Sequence, residues 1–162
     1  MLLLLAATAC VGARPREPVS TTVGKRLAFA APDLDGHEVD VSAAQGKVRV
    51  VDFWATWCDP CKQAMPALDR LAGELGPKGV DVFGVSVDED RSQIAQFLRE
   101  RPVRFPILWD KGAERLSRLD ARYMPVTLIV DRHGVIRYVH QGWDEARARR
   151  QREEIEALVA EP

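Results

Sequence analysis

Residues 48–54 read VRVVDFW, and the seven that follow, ATWCDPC, hold two cysteines with two residues between them. The first run is almost unbroken in β-branched and aromatic side chains. That pattern belongs to a strand covered on both faces, because a strand with one wet face alternates apolar with polar residues. Its charges are Arg49 near the entry and Asp52 within the run. Beyond the cysteines, Ala64, Met65, Leu68, Leu71, Ala72 and Leu75 recur at spacings of three and four, which predicts an amphipathic helix ending near Gly76-Pro77. Pro66 falls inside that helix and is expected to kink it, since proline has no backbone N–H to give. A doubly covered strand that feeds directly into a helix needs strands on either side of it and helices packed over them.

The flanking sequence supplies those layers. LAFAAPDLDGHEVDV, residues 27–41, gives a short apolar stretch, an Asp35-Gly36 turn and the alternation Val39, Val41 of a hairpin. VDVFGVSVD (80–88) reads as a strand, DRSQIAQFLRE (90–100) as a helix with Ile94, Phe97 and Leu98 inward, and FPILWD (105–110) as a short strand. A short helix is expected over 112–120. VTLIVDRHGVIRYVH (126–140) then gives two strands about a turn at Asp131–Gly134, and a final helix turns Ile155, Leu158 and Val159 inward. With 162 residues, 46% of them hydrophobic, the chain can bury one sizeable core. The expected fold class is α/β, a mixed central β-sheet flanked by helices on both faces, with an N-terminal β-hairpin.

A net charge of −1 gives no electrostatic reason to expect nucleic acid as a partner. Arg147, Arg149, Arg150 and Arg152 alternate with Glu145, Glu153, Glu154 and Glu156, the composition of a solvated helix face. At the other end, residues 1–9, MLLLLAATA, form a signal-like segment too short to span a bilayer and without a basic n-region. ATAC resembles the lipobox of bacterial lipoproteins, in which the cysteine, here Cys10, is lipidated; Ala7 stands where that motif usually has Leu. An export signal with an incidental cysteine is the alternative. Either reading puts the domain outside the cytoplasm. Residues 10–25 lack hydrophobic periodicity and read as a tether, which leaves residues 26–162 as the folded domain.

Three uses of Cys58 and Cys61 compete. A structural zinc takes four ligands, and the pair could draw only on Cys10, His37, His133 and His140, two of them in expected turns and one at the end of an edge-like strand. A structural bridge over so short a loop removes little chain entropy. A pair that cycles between dithiol and disulfide fits better. Asp59-Pro60 should open the helix, placing Cys58 at its N-terminus, where free N–H groups and the helix dipole stabilise a thiolate. Pro60 suits the first turn because its missing N–H is not needed there. Asp59 opposes the thiolate and inclines the pair toward reducing behaviour.

VVDFWATWCDPCK resembles the active-site segment of the thioredoxin superfamily. The stretch from Leu27 to Val159 resembles the exported TlpA/ResA-like thiol-disulfide oxidoreductases of that superfamily, through APDLDGHEVDVSAAQGK, GVSVDED and MPVTLIVDRHGVIRYVHQG. The resemblance implies a thioredoxin fold without a cofactor, with Cys58 as nucleophile and Cys61 as resolving thiol. It implies a cis bond at Pro125 opposite the cysteines, and a backbone at Met124 that meets an extended substrate peptide. Trp57 and Pro60 would belong to the docking surface, and Asp52 would be a buried carboxylate that accepts a proton. Where the ResA-like group often has glutamate, three residues after the second cysteine, this chain has Ala64. It has Asp52 where that group often has Asn, and Gly84 where many thioredoxins place a lysine beside the aspartate.

The partners so implied are disulfide-containing exported proteins and a membrane thiol-disulfide electron donor, on the periplasmic side of a bacterial membrane with Cys10 as lipid anchor. Cytochrome c maturation is a setting suggested by resemblance alone. Two rival readings are a Cu(I)-binding module, with Cys58, Cys61 and Met124 as soft ligands, and a thiol peroxidase. The first lacks the Met and His cluster that a dedicated copper site would prefer. The second lacks the Thr three residues before the cysteine typical of peroxiredoxins.

Overall fold

The computed structural model describes residues 22–42 and 46–162. In chain order the elements are β1 (Ala30–Pro32), β2 (Glu38–Asp40), β3 (Val48–Trp54), α1 (Asp59–Leu75), β4 (Val80–Ser86), α2 (Arg91–Glu100), β5 (Ile107–Trp109), β6 (Val126–Val130), β7 (Ile136–Gln141) and α3 (Glu145–Ala160). β1 and β2 form the expected antiparallel hairpin, as a sheet of their own. The main sheet has the order β5-β4-β3-β6-β7, with β3, β4 and β5 parallel and β6 and β7 antiparallel to their neighbours.

β3 is the central strand, and all seven of its residues are buried. Successive side chains point to opposite faces. Phe53 meets Phe29 of the hairpin lead-in at 5.9 Å between ring centroids, while Trp54, on the other face, meets Phe97 of α2 at 5.1 Å. Buried Arg49 gives a guanidinium N–H to the Val41 carbonyl, which ties the hairpin to the sheet. α1 runs without a break from Asp59 to Leu75 across Pro66 and buries Ala64, Met65, Leu68, Leu71 and Leu75. α3 buries Ile155 and Leu158 and sets most of its basic run in ion pairs, including Arg149 with Glu145 and Arg152 with Glu156. Each large apolar side chain fully buried this way contributes roughly 1.5–3 kcal/mol.

Two expectations differ in detail. No helix spans 112–120: Gly112 at φ 71° and Ala113 at φ 52° are left-handed, so only short 3-10 turns form, at Lys111–Ala113 and Leu116–Arg118. The buried Asp110 carboxylate holds this segment by accepting the N–H groups of Arg115 and Leu116, and Arg115 reaches on to the Ala30 carbonyl. The second difference is at the tether. Gly24 donates to the Ile136 carbonyl at 2.8 Å and Ile136 to that of Lys25 at 2.9 Å, so residues 22–25 lie along β7 rather than free of the domain. The signal-like segment and Cys10 lie outside the described residues.

Candidate active site

β3 ends at Trp54, and the chain needs only Ala55-Thr56-Trp57 to reach Cys58. Cys58 is the N-cap of α1, with extended backbone (φ −91°, ψ 104°), and its Sγ accepts the N–H of Cys61 at 3.3 Å. The sulfur therefore takes one of the helix's unpaired N–H groups, at the positive end of its dipole. Cys58 and Cys61 are joined as a disulfide, with Cα atoms 5.2 Å apart. Cys58 is 7% exposed and Cys61 is fully enclosed. Pro60 lies in the first turn, as its missing N–H allows.

Asp59 does not act alone. Its carboxylate pairs with Lys62 Nζ at 2.5 Å, and this hydrogen bond holds the Asp59 carboxyl below its ordinary pKa. A cation thus stands beside the carboxylate that the sequence sets against the Cys58 thiolate.

The loop before Cys58 is fixed by a residue that the sequence reading did not single out. Asp88, buried just past β4, accepts the Thr56 N–H at 3.0 Å, the Thr56 hydroxyl at 2.7 Å and the Ser86 hydroxyl at 2.7 Å. Its carbonyl accepts the Trp109 indole N–H at 2.6 Å. Its bonds to Thr56 join residues 32 apart, so no local sequence pattern marks it.

Asp52 is buried in β3, and β6 brings Thr127 opposite it. The Thr127 hydroxyl donates to Asp52 Oδ1 at 2.7 Å, and Gln151 of α3 donates to that hydroxyl at 3.4 Å. Oδ2 is buried with no partner among the described residues. Burial pushes the carboxyl up to about 7, against the opposing pull of the Thr127 hydrogen bond. On the other side Asp52 pairs with Gly84, the position where a thioredoxin lysine would stand. A Cβ there would come within 2.7 Å of Ile107 Cδ1 and 3.2 Å of the Trp54 indole nitrogen, so a side chain at this position would require its neighbours to shift.

Met124-Pro125 is the cis peptide bond, and Pro125 is buried immediately before β6. Since Phe53 pairs with Val126, Pro125 stands at the end of the sheet where β3 gives way to the cysteine loop. Met124 is partly exposed. Trp57, at 65%, and Tyr123, at 71%, are strongly exposed aromatics that flank these segments. His140 Nε2 lies 2.6 Å from Glu154 Oε2. Asp33, Asp35 and His37 bring donor atoms within 4.8 Å of one another, but Asp33 is already bonded to both partners within the hairpin turn.

Residues 23–139 match the AhpC/TSA family, a span that takes in both cysteines, Asp52 and Pro125. This chain belongs to the AhpC/TSA family. Its thioredoxin-like fold is shared with a candidate thiol:disulfide interchange protein DsbE from Chlorobium tepidum, at 29% identity and a TM-score of 0.78 over 86% of this chain and 98% of that one. Among sequence relatives, the thiol-disulfide oxidoreductase ResA of Oceanobacillus iheyensis is 37% identical over 72% of this chain and 66% of its own length. That of Halalkalibacterium halodurans is 32% identical over 70% of this chain and 65% of its own. The chain thus spans just under two thirds of the length of these ResA relatives. Among the described residues of this AhpC/TSA family member, no helix is long and apolar enough to cross a membrane.

Proposed function

We propose that this chain is an exported thiol-disulfide oxidoreductase that reduces disulfides in other exported proteins by cycling Cys58 and Cys61. The observation that carries the reading is the Cys58–Cys61 disulfide at the N-terminus of α1, with Cys58 as cap and Cys61 enclosed. In the reduced protein the Cys58 thiolate attacks one sulfur of a substrate disulfide. That S–S bond breaks, the first substrate thiolate leaves, and a mixed disulfide forms. Cys61 then gives up its proton and attacks Cys58 Sγ, which releases the second substrate thiolate and restores the Cys58–Cys61 disulfide. Two electrons have passed to the substrate. A thiol-disulfide donor at the membrane returns them.

Asp52 is the proposed acceptor of the Cys61 proton. A buried carboxyl pushed up to about 7 is matched to proton exchange near neutral pH. Trp57, Pro60, Met124 and Pro125 form the proposed docking surface, and lipidation of Cys10 would anchor the domain at the membrane. ResA-named relatives support the oxidoreductase class. The test is reduction of insulin disulfides by the reduced chain, with Cys58→Ser as control. Turnover that survives in Cys58→Ser would falsify the reading.

A further inference from the structure

Three strands end at the margin of the sheet where the disulfide lies. Phe53 of β3 pairs with Val126 of β6, and Val126 with Gln141 of β7. Gln141 therefore stands on the strand beyond Pro125, level with the last residues of β3. Its amide grips the loop that leads into Met124 at two points. Oε1 accepts the N–H of Arg122 at 2.7 Å and of Tyr123 at 3.2 Å, while Nε2 donates to the Asp120 carbonyl at 2.9 Å. The orientation is determined by its partners: turning the amide over would set oxygen against a carbonyl and nitrogen against two N–H groups. One residue on, Gly142 donates to the Pro125 carbonyl at 2.8 Å.

Residues 120–125 belong to neither helix nor strand, so no ladder fixes them, and this side chain supplies three of the bonds that a ladder would. The loop so held carries Tyr123, whose ring is 71% exposed. An exposed aromatic has apolar area to offer a partner and loses little conformational freedom on contact. Resting on the oxidoreductase reading, we infer that Gln141 is a positioning residue for polypeptide substrates. It holds the loop so that the Tyr123 ring and the Met124 backbone meet an extended chain carrying the target disulfide.

A small disulfide that reaches only Cys58 does not use this loop, and the contrast between substrates is the test. Q141L, Q141E and Y123A are assayed with a disulfide-linked peptide and with a small aromatic disulfide such as 5,5′-dithiobis(2-nitrobenzoate). Loss of the loop bonds in Q141L raises KM for the peptide about tenfold with kcat little changed, and leaves the small-disulfide rate within about twofold. Q141E keeps the two N–H contacts and falls between Q141L and the parent. Y123A, exposed and safe for folding, raises peptide KM as well, and the Q141L/Y123A pair loses less than the two singles added together. An equal loss on both substrates in Q141L, or an unchanged peptide KM in both Q141L and Y123A, overturns the inference. Neither result touches the oxidoreductase reading, which is tested separately by insulin reduction with Cys58→Ser as control.

Discussion

The Thr127 hydroxyl, on β6, donates a 2.7 Å hydrogen bond to Asp52 Oδ1 on the neighbouring β3, and this bond favours the charged form of that carboxyl against its burial. Asp52 is raised from 3.8 to about 7, so the folded protein holds a proton that the unfolded chain gives up. Stability linked to Asp52 is complete below pH 3.8 and is lost as pH climbs through 7. Asp52→Asn escapes this loss, though its amide leaves a donor buried where Oδ2 lacks a partner. Between pH 4 and pH 8 the stability of Asp52→Asn relative to the parent is expected to swing by roughly 4 kcal/mol in the variant's favour. Urea unfolding of the oxidised proteins at the two pH values measures it, and a constant difference contradicts it.

Thr127→Val keeps shape and removes the donor. The Asp52 carboxyl should then titrate at higher pH than in the parent. Carbon NMR of the labelled carboxyl follows this directly. An unmoved or lowered titration would mean that the hydroxyl does not steady the carboxylate.

Cys61→Ser should accumulate mixed disulfides with native partners, while Cys58→Ser accumulates few or none, because only Cys58 has an exposed path to substrate. Mass spectrometry of complexes formed in each variant decides it. Equal trapping by both would reverse the assigned order of attack.

Much of this site could be read in the chain because its parts rest on local chemistry. The apolar run around Asp52 predicts a strand with no wet face, and Asp59-Pro60 predicts a helix start that sets Cys58 at the cap. What the sequence hides depends on distant pairings. The Asp88 bonds to Thr56 join residues 32 apart, and Gln141 meets the loop 18–21 residues before it, so no local pattern marks either. The missing helix over 112–120 has a similar origin. Its apolar spacing suits a helix, yet left-handed Gly112 and Ala113, together with the buried Asp110 carboxylate, hold the segment in another shape. Lys62 belongs to the same lesson, since its pairing with Asp59 changes the field at Cys58 that Asp59 alone would set.

That pairing gives a further expectation. Lys62→Ala leaves the Asp59 charge unbalanced next to Cys58 and should raise the Cys58 thiol pKa in the reduced protein. The pH dependence of iodoacetamide labelling reads it out. An unchanged pKa would show that Lys62 has no electrostatic reach to the sulfur, and a fall would contradict the expectation outright.

The reduction potential of the Cys58–Cys61 couple sets the direction of electron flow. Related thiol pairs span about −270 mV in thioredoxin to about −120 mV in DsbA, whose reduced form is unusually stable. In this chain the residues between the cysteines are Asp59 and Pro60, with no cation among them, so the Cys58 thiolate is less favoured than in a strong oxidant. Equilibration of the Cys58–Cys61 couple against defined dithiothreitol buffers, read by alkylation and mass, gives its reduction potential. A value closer to about −270 mV than to about −120 mV is expected, and a value at the oxidising end would contradict the assignment of this chain as a reductant of protein disulfides.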